Sequence, residues 1–241
     1  MIRLDHVSRR YPGAPRPALA DVSLTFEAGE FVFITGASGA GKSTLLRLLY
    51  AAEQPDAGDV LIEERSVARL HPSSIPFLRR NLGIIFQDFR LLPRRTVFDN
   101  VALPLLVCGQ PRGVVAHKVG KVLARVSLDG LQGRLPGSLS AGEQQRAAIA
   151  RALVNEPSIV LADEPTGNLD EILSSEIMDL LEEVARERNA TVLVATHDMI
   201  QVAARSFREV RLVLGRVDAD LPARPPHEPE ATPPDATEVP T

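Results

Sequence analysis

The sequence predicts an α/β fold with a mostly parallel core sheet, a small antiparallel β layer and an inserted helical subdomain. Amphipathic stretches at 141–154 and 172–188 predict helices that alternate with strands. Three short segments are apolar on both faces and end in polar residues, as buried parallel strands do: 31–35, 159–162 and 191–196. In such a fold, functional residues are expected at the carboxyl ends of the strands.

The remaining elements are placed by their position and composition. Segments 2–7 and 22–26 predict strands of the antiparallel layer, and residues of about 88–155 predict the helical subdomain. From Asp220 onward, 22 residues contain seven prolines and carry a net charge of −4. Such a segment buries too little apolar surface to offset its ordering entropy, so we expect a domain over 1–219 and a disordered tail over 220–241.

Composition excludes several functional classes. The 241 residues carry a net charge of −4 and only ten aromatic side chains, which disfavours a nucleic-acid binder. The single Cys108 cannot form an internal disulfide, as is usual in a reducing compartment. No apolar run approaches the roughly 18 residues of a membrane span, and the charged N-terminus is unlike a signal peptide. A cytosolic protein is expected.

A phosphate-binding loop follows the first apolar strand. Two glycines five residues apart precede a lysine and a serine, in the order strand, loop, helix. Backbone N–H groups would surround phosphate oxygens, Lys42 would reach the β and γ phosphates, and Ser43 would ligate Mg²⁺. The alternative is an ordinary glycine turn. The candidate nucleotide-binding residues here are Gly36, Ala37, Ser38, Gly39, Ala40, Gly41, Lys42, Ser43 and Thr44.

Polar residues also end the other two apolar strands. Asp163 and Glu164 are adjacent, so their side chains point in opposite directions, one suited to the magnesium shell and the other to a water molecule. His197 ends the third strand. The alternative for all three is a solvated surface position. No Asn-Lys-x-Asp motif is present, which disfavours a GTPase.

A capped helix start at 139–144 predicts a second anion site. Ser140 and Glu143 fit a capping box, and free N–H groups at this helix end would attract phosphate. The simpler interpretation is a well-capped helix. Because the phosphate loop already has its own helix, a second site makes sense if it closes over a nucleotide held by another copy of the chain.

Taken in order, these motifs resemble the ATP-binding subunits of ABC transporters over residues 1–215. The family's Gln loop resembles 86–88, with Gln87, and its D-loop resembles 168–170, with Asp170. Tyr11 stands where the family stacks an aromatic ring on adenine. The signature resembles 139–146, although the family's usual glycine is replaced here by Ala141, which puts the hydrolysis rate in doubt; its candidate residues are Ser140, Ala141, Gly142 and Glu143.

The resemblance implies a P-loop ABC ATPase domain with ATP held between two copies in a head-to-tail homodimer. Glu164 would polarise the attacking water and His197 would hold the γ-phosphate, as the two catalytic residues. Mg²⁺ would be bound by Ser43, Gln87 and Asp163, and Gln87 would link it to a membrane partner.

Within the family, segments 86–93, 100–105 and 162–170 are most similar to the branch that serves bacterial cell division. Its members pair with the membrane protein FtsX at the cytoplasmic face of the cell membrane, and the resemblance implies that ATP-driven dimer closure reaches cell-wall hydrolases through that partner. The coupling surface is expected just after the Gln loop, where apolar and basic residues alternate: Phe89, Arg90, Leu91, Leu92, Arg94 and Arg95.

Two alternatives remain open. Lipoprotein-release and macrolide-export ATPases share the 167–170 motif and a similar class of partner. A nucleotide-gated scaffold that recruits other division proteins with little turnover is compatible with Ala141. A second departure from the family, at 63–65, is expected to affect only a surface turn.

Overall fold

A six-stranded sheet forms the centre of the computed structural model, which describes residues 1–167 and 169–223. Its order is β10-β9-β3-β8-β7-β6, and all neighbours are parallel except β9 and β10. The three predicted strands are confirmed and lie side by side. The strands are β3 (Phe31–Thr35), β6 (Leu82–Ile85), β7 (Ile159–Asp163), β8 (Thr191–Ala195), β9 (Arg208–Val213) and β10 (Arg216–Leu221).

The predicted antiparallel layer is also confirmed, as a four-stranded sheet in the order β2-β1-β4-β5. One hydrophobic core lies between the two sheets and encloses the apolar face of α1 (Lys42–Leu49). The strands of this layer are β1 (Ile2–Arg9), β2 (Leu19–Phe26), β4 (Ala57–Ile62) and β5 (Arg65–Ser66). The turn at Glu63 and Glu64 has φ of 49° and 63°, a conformation that favours Asn or Gly.

The second core covers the opposite face of the six-stranded sheet. Helices α3, α4 and α5 come between β6 and β7 in the chain, and α3 packs against both α4 and α5. The predicted helices at 141–154 and 172–188 correspond to α5 and α6. The helices are α2 (Ile75–Arg80), α3 (Val97–Val107), α4 (Arg112–Arg125), α5 (Ala141–Leu153), α6 (Glu171–Arg188) and α7 (Met199–Ala203).

Two capping boxes fix the starts of α3 and α5. At α5 the predicted pair is confirmed: the Glu143 N–H donates to the Ser140 hydroxyl at 3.3 Å, and the Ser140 N–H donates to the Glu143 carboxylate at 2.7 Å. The latter bond lowers the pKa of Glu143. Thr96 and Asp99 form the equivalent capping box at the start of α3. No helix within the described residues is long and apolar enough to cross a membrane.

The domain extends beyond the boundary placed from composition. Asp220 and Leu221 belong to β10, so the prediction that the tail begins at 220 is wrong by at least two residues. The reason is a specific ion pair: both carboxylate oxygens of Asp220 accept hydrogen bonds from Arg208 at 2.7 Å. The rest of the predicted tail, 224–241, lies outside the described residues.

Candidate active site

The phosphate loop connects β3 to α1 with a backbone that requires glycine at two positions. Gly36 has φ of 140°, and a Cβ there would meet the Leu212 carbonyl oxygen at 2.3 Å. Gly41 has φ of 111°, and a Cβ there would meet the Ala18 carbonyl oxygen at 2.4 Å. The loop therefore packs so closely against the Leu212 and Ala18 carbonyls that no side chain fits at these two positions. Its N–H groups precede the first turn of a helix, where anions bind.

Lys42 is held at the start of α1 by polar partners although its side chain is buried. Its Nζ donates to the Gly36 carbonyl at 2.8 Å and lies 3.3 Å from Oε1 of Glu164. The side chains of Lys42 and Glu164 are only 6% and 10% exposed. A buried cation beside glycine-loop amides is the arrangement that binds the β and γ phosphates of a nucleotide.

Ser43 and Asp163 provide oxygen ligands suited to Mg²⁺. The Ser43 hydroxyl donates to Oδ1 of Asp163 at 2.9 Å. Burial raises the pKa of Asp163, and the neighbouring Glu164 charge raises it further, so a bound cation would relieve both effects. Among the described residues, no group of three or more His, Cys, Asp or Glu side chains is placed to hold a metal ion without further ligands. Mg²⁺ at nucleotides needs only one or two protein ligands, because phosphates and water supply the rest, so these residues fit it.

Glu164 and His197 follow the carboxyl ends of β7 and β8 and contact each other beside the phosphate loop. Oε2 of Glu164 lies 2.7 Å from Nδ1 of His197 and also accepts the His197 N–H at 3.4 Å. Glu164 has φ of 50°, and its N–H donates to the Ala195 carbonyl at 2.8 Å, which holds this left-handed conformation. The predicted convergence of three strand ends is therefore present in the structure.

An open cavity of about 720 Å³ contains most of the predicted nucleotide residues. The Tyr11 hydroxyl donates to Glu53 at 2.9 Å and lies 3.3 Å from the Thr44 hydroxyl, which fixes the ring at the cavity wall. Pro15 and Pro17 also line the cavity. The predicted residues that line the cavity are Tyr11, Ala37, Ser38, Gly39, Ala40, Gly41, Lys42, Ser43, Thr44, Gln87, Glu164 and His197.

The predicted signature and D-loop residues lie outside this cavity. Ser140 and Ala141 are exposed at the start of α5, whereas Gly142 is buried. Asp170 caps α6 by accepting the Leu173 N–H at 2.9 Å. Asn168, which precedes it in the predicted D-loop, is outside the described residues.

The predicted coupling residues do not form one open surface. Leu91 packs against the hydrophobic core, and Phe89 is half-buried. The Arg90 guanidinium lies over the Phe86 ring and donates to Asp88 at 3.0 Å. Among the predicted set, the exposed members are Arg90, Leu92, Arg94 and Arg95.

Sequence reasoning missed three polar side chains that hold the loops of this site. Arg151 donates to the Phe89 and Arg90 carbonyls at 2.7 and 2.6 Å. Gln145 donates to the Pro165 carbonyl at 2.5 Å, directly after Glu164. Buried Asn100 donates to three carbonyls, those of Leu92, Arg95 and Thr96, and accepts the Leu92 N–H. Of these three, only Asn100 could have been identified from its neighbours in the sequence, because an Asn within an apolar helix must find hydrogen-bond partners when it is buried.

Known proteins are similar to this chain in sequence. The family described as ABC transporter matches residues 19–167. The cell division ATP-binding protein FtsE of Mycobacterium tuberculosis is 51% identical over 220 residues, which cover 91% of this chain and 95% of that protein. The protein of the same name from Escherichia coli is 48% identical over 217 residues, which cover 90% of this chain and 97% of that protein.

Solved structures share the fold. The dimeric structure of MJ0796, a bacterial ABC transporter cassette, superimposes with a TM-score of 0.87 at 36% identity and covers 93% of this chain and all of that chain. A post-hydrolysis state of the same cassette, bound to ADP and Pi, gives a TM-score of 0.85 at 35% identity with the same coverage. The chain therefore belongs to the ABC transporter family, as one of its ATPases.

Proposed function

We propose that this ATPase is the nucleotide-hydrolysing subunit of a bacterial cell-division complex, bound to the cytoplasmic face of the membrane through an FtsX-like partner. The single observation that carries the enzymatic part is the convergence of Lys42, Ser43, Asp163, Glu164 and His197 at the end of one parallel sheet. The cell-division part is supported by about 50% identity to proteins named FtsE over nine-tenths of the chain.

The hydrolytic step follows from the side chains present. Lys42 and the loop amides bind the β and γ phosphates, and Tyr11 stacks on the adenine. Glu164 accepts the proton of the attacking water, while His197, held by that carboxylate, donates to the γ-phosphate. Mg²⁺, when held by Ser43, Gln87 and Asp163, supplies neutralising charge to the phosphate oxygens.

The exposed start of α5 completes the site of a second copy. Ser140 is the N-cap, so the first N–H groups of the helix face outward beside its hydroxyl. Ala141, Gly142 and Glu143 form the first turn, where the helix dipole favours a phosphate. In a head-to-tail arrangement of two copies, this turn of each copy would contact the ATP bound to the other. The dimer would therefore form when ATP is bound. The dimeric cassette of similar fold supports the association of two copies.

A groove beside the Gln loop is the proposed docking site for the membrane partner. It has a volume of about 360 Å³ and lies between α2 and α3. Leu103 and Val107 on α3 expose 38% and 55% of their surface there. Leu92 and Arg94 of the predicted coupling segment are also exposed. An apolar groove with arginines close by suits an amphipathic cytoplasmic segment of a membrane protein.

Co-purification from detergent-solubilised membranes tests the partner. We expect the parental chain to retain an FtsX-like protein, identified by mass spectrometry, and Leu103→Asp with Val107→Asp to lose it while ATP binding is unchanged. Val114→Asp, on an exposed position of α4, is the matched control and should retain the partner. Recovery of an exporter subunit instead would assign the chain to the lipoprotein-release or macrolide-export group.

Ala141 favours a second candidate function, a nucleotide-gated scaffold with little turnover. Its methyl group stands where the family's usual glycine would allow close approach to the partner copy's phosphate. Phosphate release in the presence of the purified membrane partner separates the two functions. Sustained turnover supports the motor, whereas ATP-dependent complex formation without turnover supports the scaffold.

A further inference from the structure

We propose that Arg151 is a positioning residue for Gln87, and that it ties the Gln loop to the helix that carries the signature. This inference rests on the proposed function, because it gives Gln87 its role at the nucleotide. Arg151 itself does not line the candidate nucleotide cavity.

The contact is a two-pronged hydrogen bond to a strained turn. Nη2 and Nη1 of Arg151 donate to the carbonyl oxygens of Phe89 and Arg90 at 2.7 and 2.6 Å. These two residues have φ of 56° and 48°. Two consecutive bulky residues rarely adopt the left-handed conformation, because the Cβ crowds the backbone. The planar guanidinium, with donors in a fixed fork, holds this turn in place.

The environment of Arg151 indicates that this is its main task. Within the described part of the chain it forms no ion pair with a carboxylate, in contrast to Arg205 and Arg208. Burial lowers the pKa of its guanidinium, and only the more distant Asp88 charge opposes that effect. A partly buried cation therefore has main-chain carbonyls as its hydrogen-bond partners, which makes its position sensitive to the geometry of this loop.

Arg151 and Ser140 belong to one rigid element. Arg151 lies eleven positions after Ser140, about 16 Å along α5 at the usual rise of an α-helix. Gln87 lies two positions before Phe89 and lines the nucleotide cavity. Gln145, on the same helix, holds the loop after Glu164. A shift of α5, as when its start meets the nucleotide of the second copy, would therefore move the Gln loop of its own site.

A double-mutant cycle on the full-length chain tests this link. Arg151→Met and Gln87→Ala are made singly and together, and the ATP dependence of phosphate release is measured. We expect Arg151→Met to lower kcat by about tenfold to a hundredfold, since small displacements of a positioned group cost that much. KM should change much less. In the Gln87→Ala background, Arg151→Met should cause almost no further loss.

Arg208→Met is the matched control. It removes an arginine with at least as many hydrogen bonds, at the opposite end of the sheet from the site. We expect it to lower the melting temperature and to change kcat by the same factor in both backgrounds. Arg151→Lys, which keeps the charge but not the fork, should recover only part of the loss; it replaces Arg151→Met in the cycle if the latter does not fold.

Two results would overturn the inference: parental kcat in the folded Arg151 variant, or a loss of equal size with and without Gln87. Absence of hydrolysis by the parental chain is a different result, because it would overturn the proposed function itself and this inference with it.

Discussion

Nζ of Lys42 lies 3.3 Å from Oε1 of Glu164, so the residue proposed to bind phosphate and the residue proposed to activate water form a buried ion pair. The other oxygen of Glu164 contacts His197 at 2.7 Å. In the proposed site the γ-phosphate of ATP would compete with Glu164 for Lys42, because both are anions that need the same cation. Binding of ATP would therefore release Glu164 toward the water. This pair would therefore link phosphate binding to activation of the base.

Lys42→Ala should greatly weaken ATP binding. Removing a charged hydrogen-bond donor costs about 1.5–3 kcal/mol, which corresponds to roughly a tenfold to hundredfold or greater loss of affinity. A titration with a fluorescent nucleotide measures it. Lys118→Ala, on α4 and paired with Glu156, is the control and should bind ATP as the parental chain does. Unchanged affinity in Lys42→Ala would remove the phosphate loop from the account.

Substitutions at Ser140 should separate helix stability from dimer formation. Ser140→Ala removes the N-cap and should cost about 1 kcal/mol, or about 2–4 °C in melting temperature. Ser140→Asp keeps a capping oxygen, so stability should be nearly parental, but its carboxylate would repel the phosphate of the second copy. Analytical ultracentrifugation with ATP should therefore find Ser140→Asp monomeric. A stable ATP-dependent dimer of Ser140→Asp would contradict the second anion site.

Ala141→Gly should raise the rate of ATP hydrolysis. Ala141 is exposed at the first position of α5, so its methyl group faces the second copy in the proposed dimer. Removing it allows closer approach, at a stability cost of at most about 1 kcal/mol. Ala141→Ser, which enlarges the side chain, should lower the rate. Equal steady-state rates in all three proteins would show that this position tolerates side chains.

Truncation should locate the end of the folded domain. A chain that ends at Ala223 should keep parental melting temperature and hydrolysis, because it retains β10. A chain that ends at Gly215 loses β10 and with it Asp220, one of the partners of Arg208, and should melt at least about 4 °C lower. Differential scanning calorimetry of both chains measures the two melting temperatures. A large destabilisation on removing only 224–241 would mean that this segment contributes to the fold.

The central strands of the six-stranded sheet were predictable from the sequence because they are buried on both faces. Strands β3, β7 and β8 are central and buried on both faces, so their segments are continuously apolar. Strand β10 lies at the edge, and half of its residues are charged, so its sequence resembles a loop. The tail boundary was misplaced for that reason: the ion pair between Asp220 and Arg208 joins residues of two strands and has no local signature.

The residues of the candidate site also differ in whether the sequence predicts them. The residues predicted to contact phosphate follow short motifs, because a phosphate loop needs a fixed local backbone. Arg151 and Gln145 hold loops that are distant in sequence, 61 and 20 positions away, so no spacing indicates them. Leu91 was predicted to face a partner, but packing onto the core outweighs exposure for an isolated leucine in a loop. The exposed apolar positions Leu103 and Val107 lie instead on α3, which is apolar nearly all round.

The most direct test of the central claim compares Glu164→Gln with the parental chain in two measurements. These are the rate of phosphate release and the molecular mass in the presence of ATP. If Glu164 is the base at a site shared by two copies, the variant should bind ATP, release phosphate at least about a hundredfold more slowly, and accumulate as a dimer. Hydrolysis by Glu164→Gln at the parental rate would contradict the account.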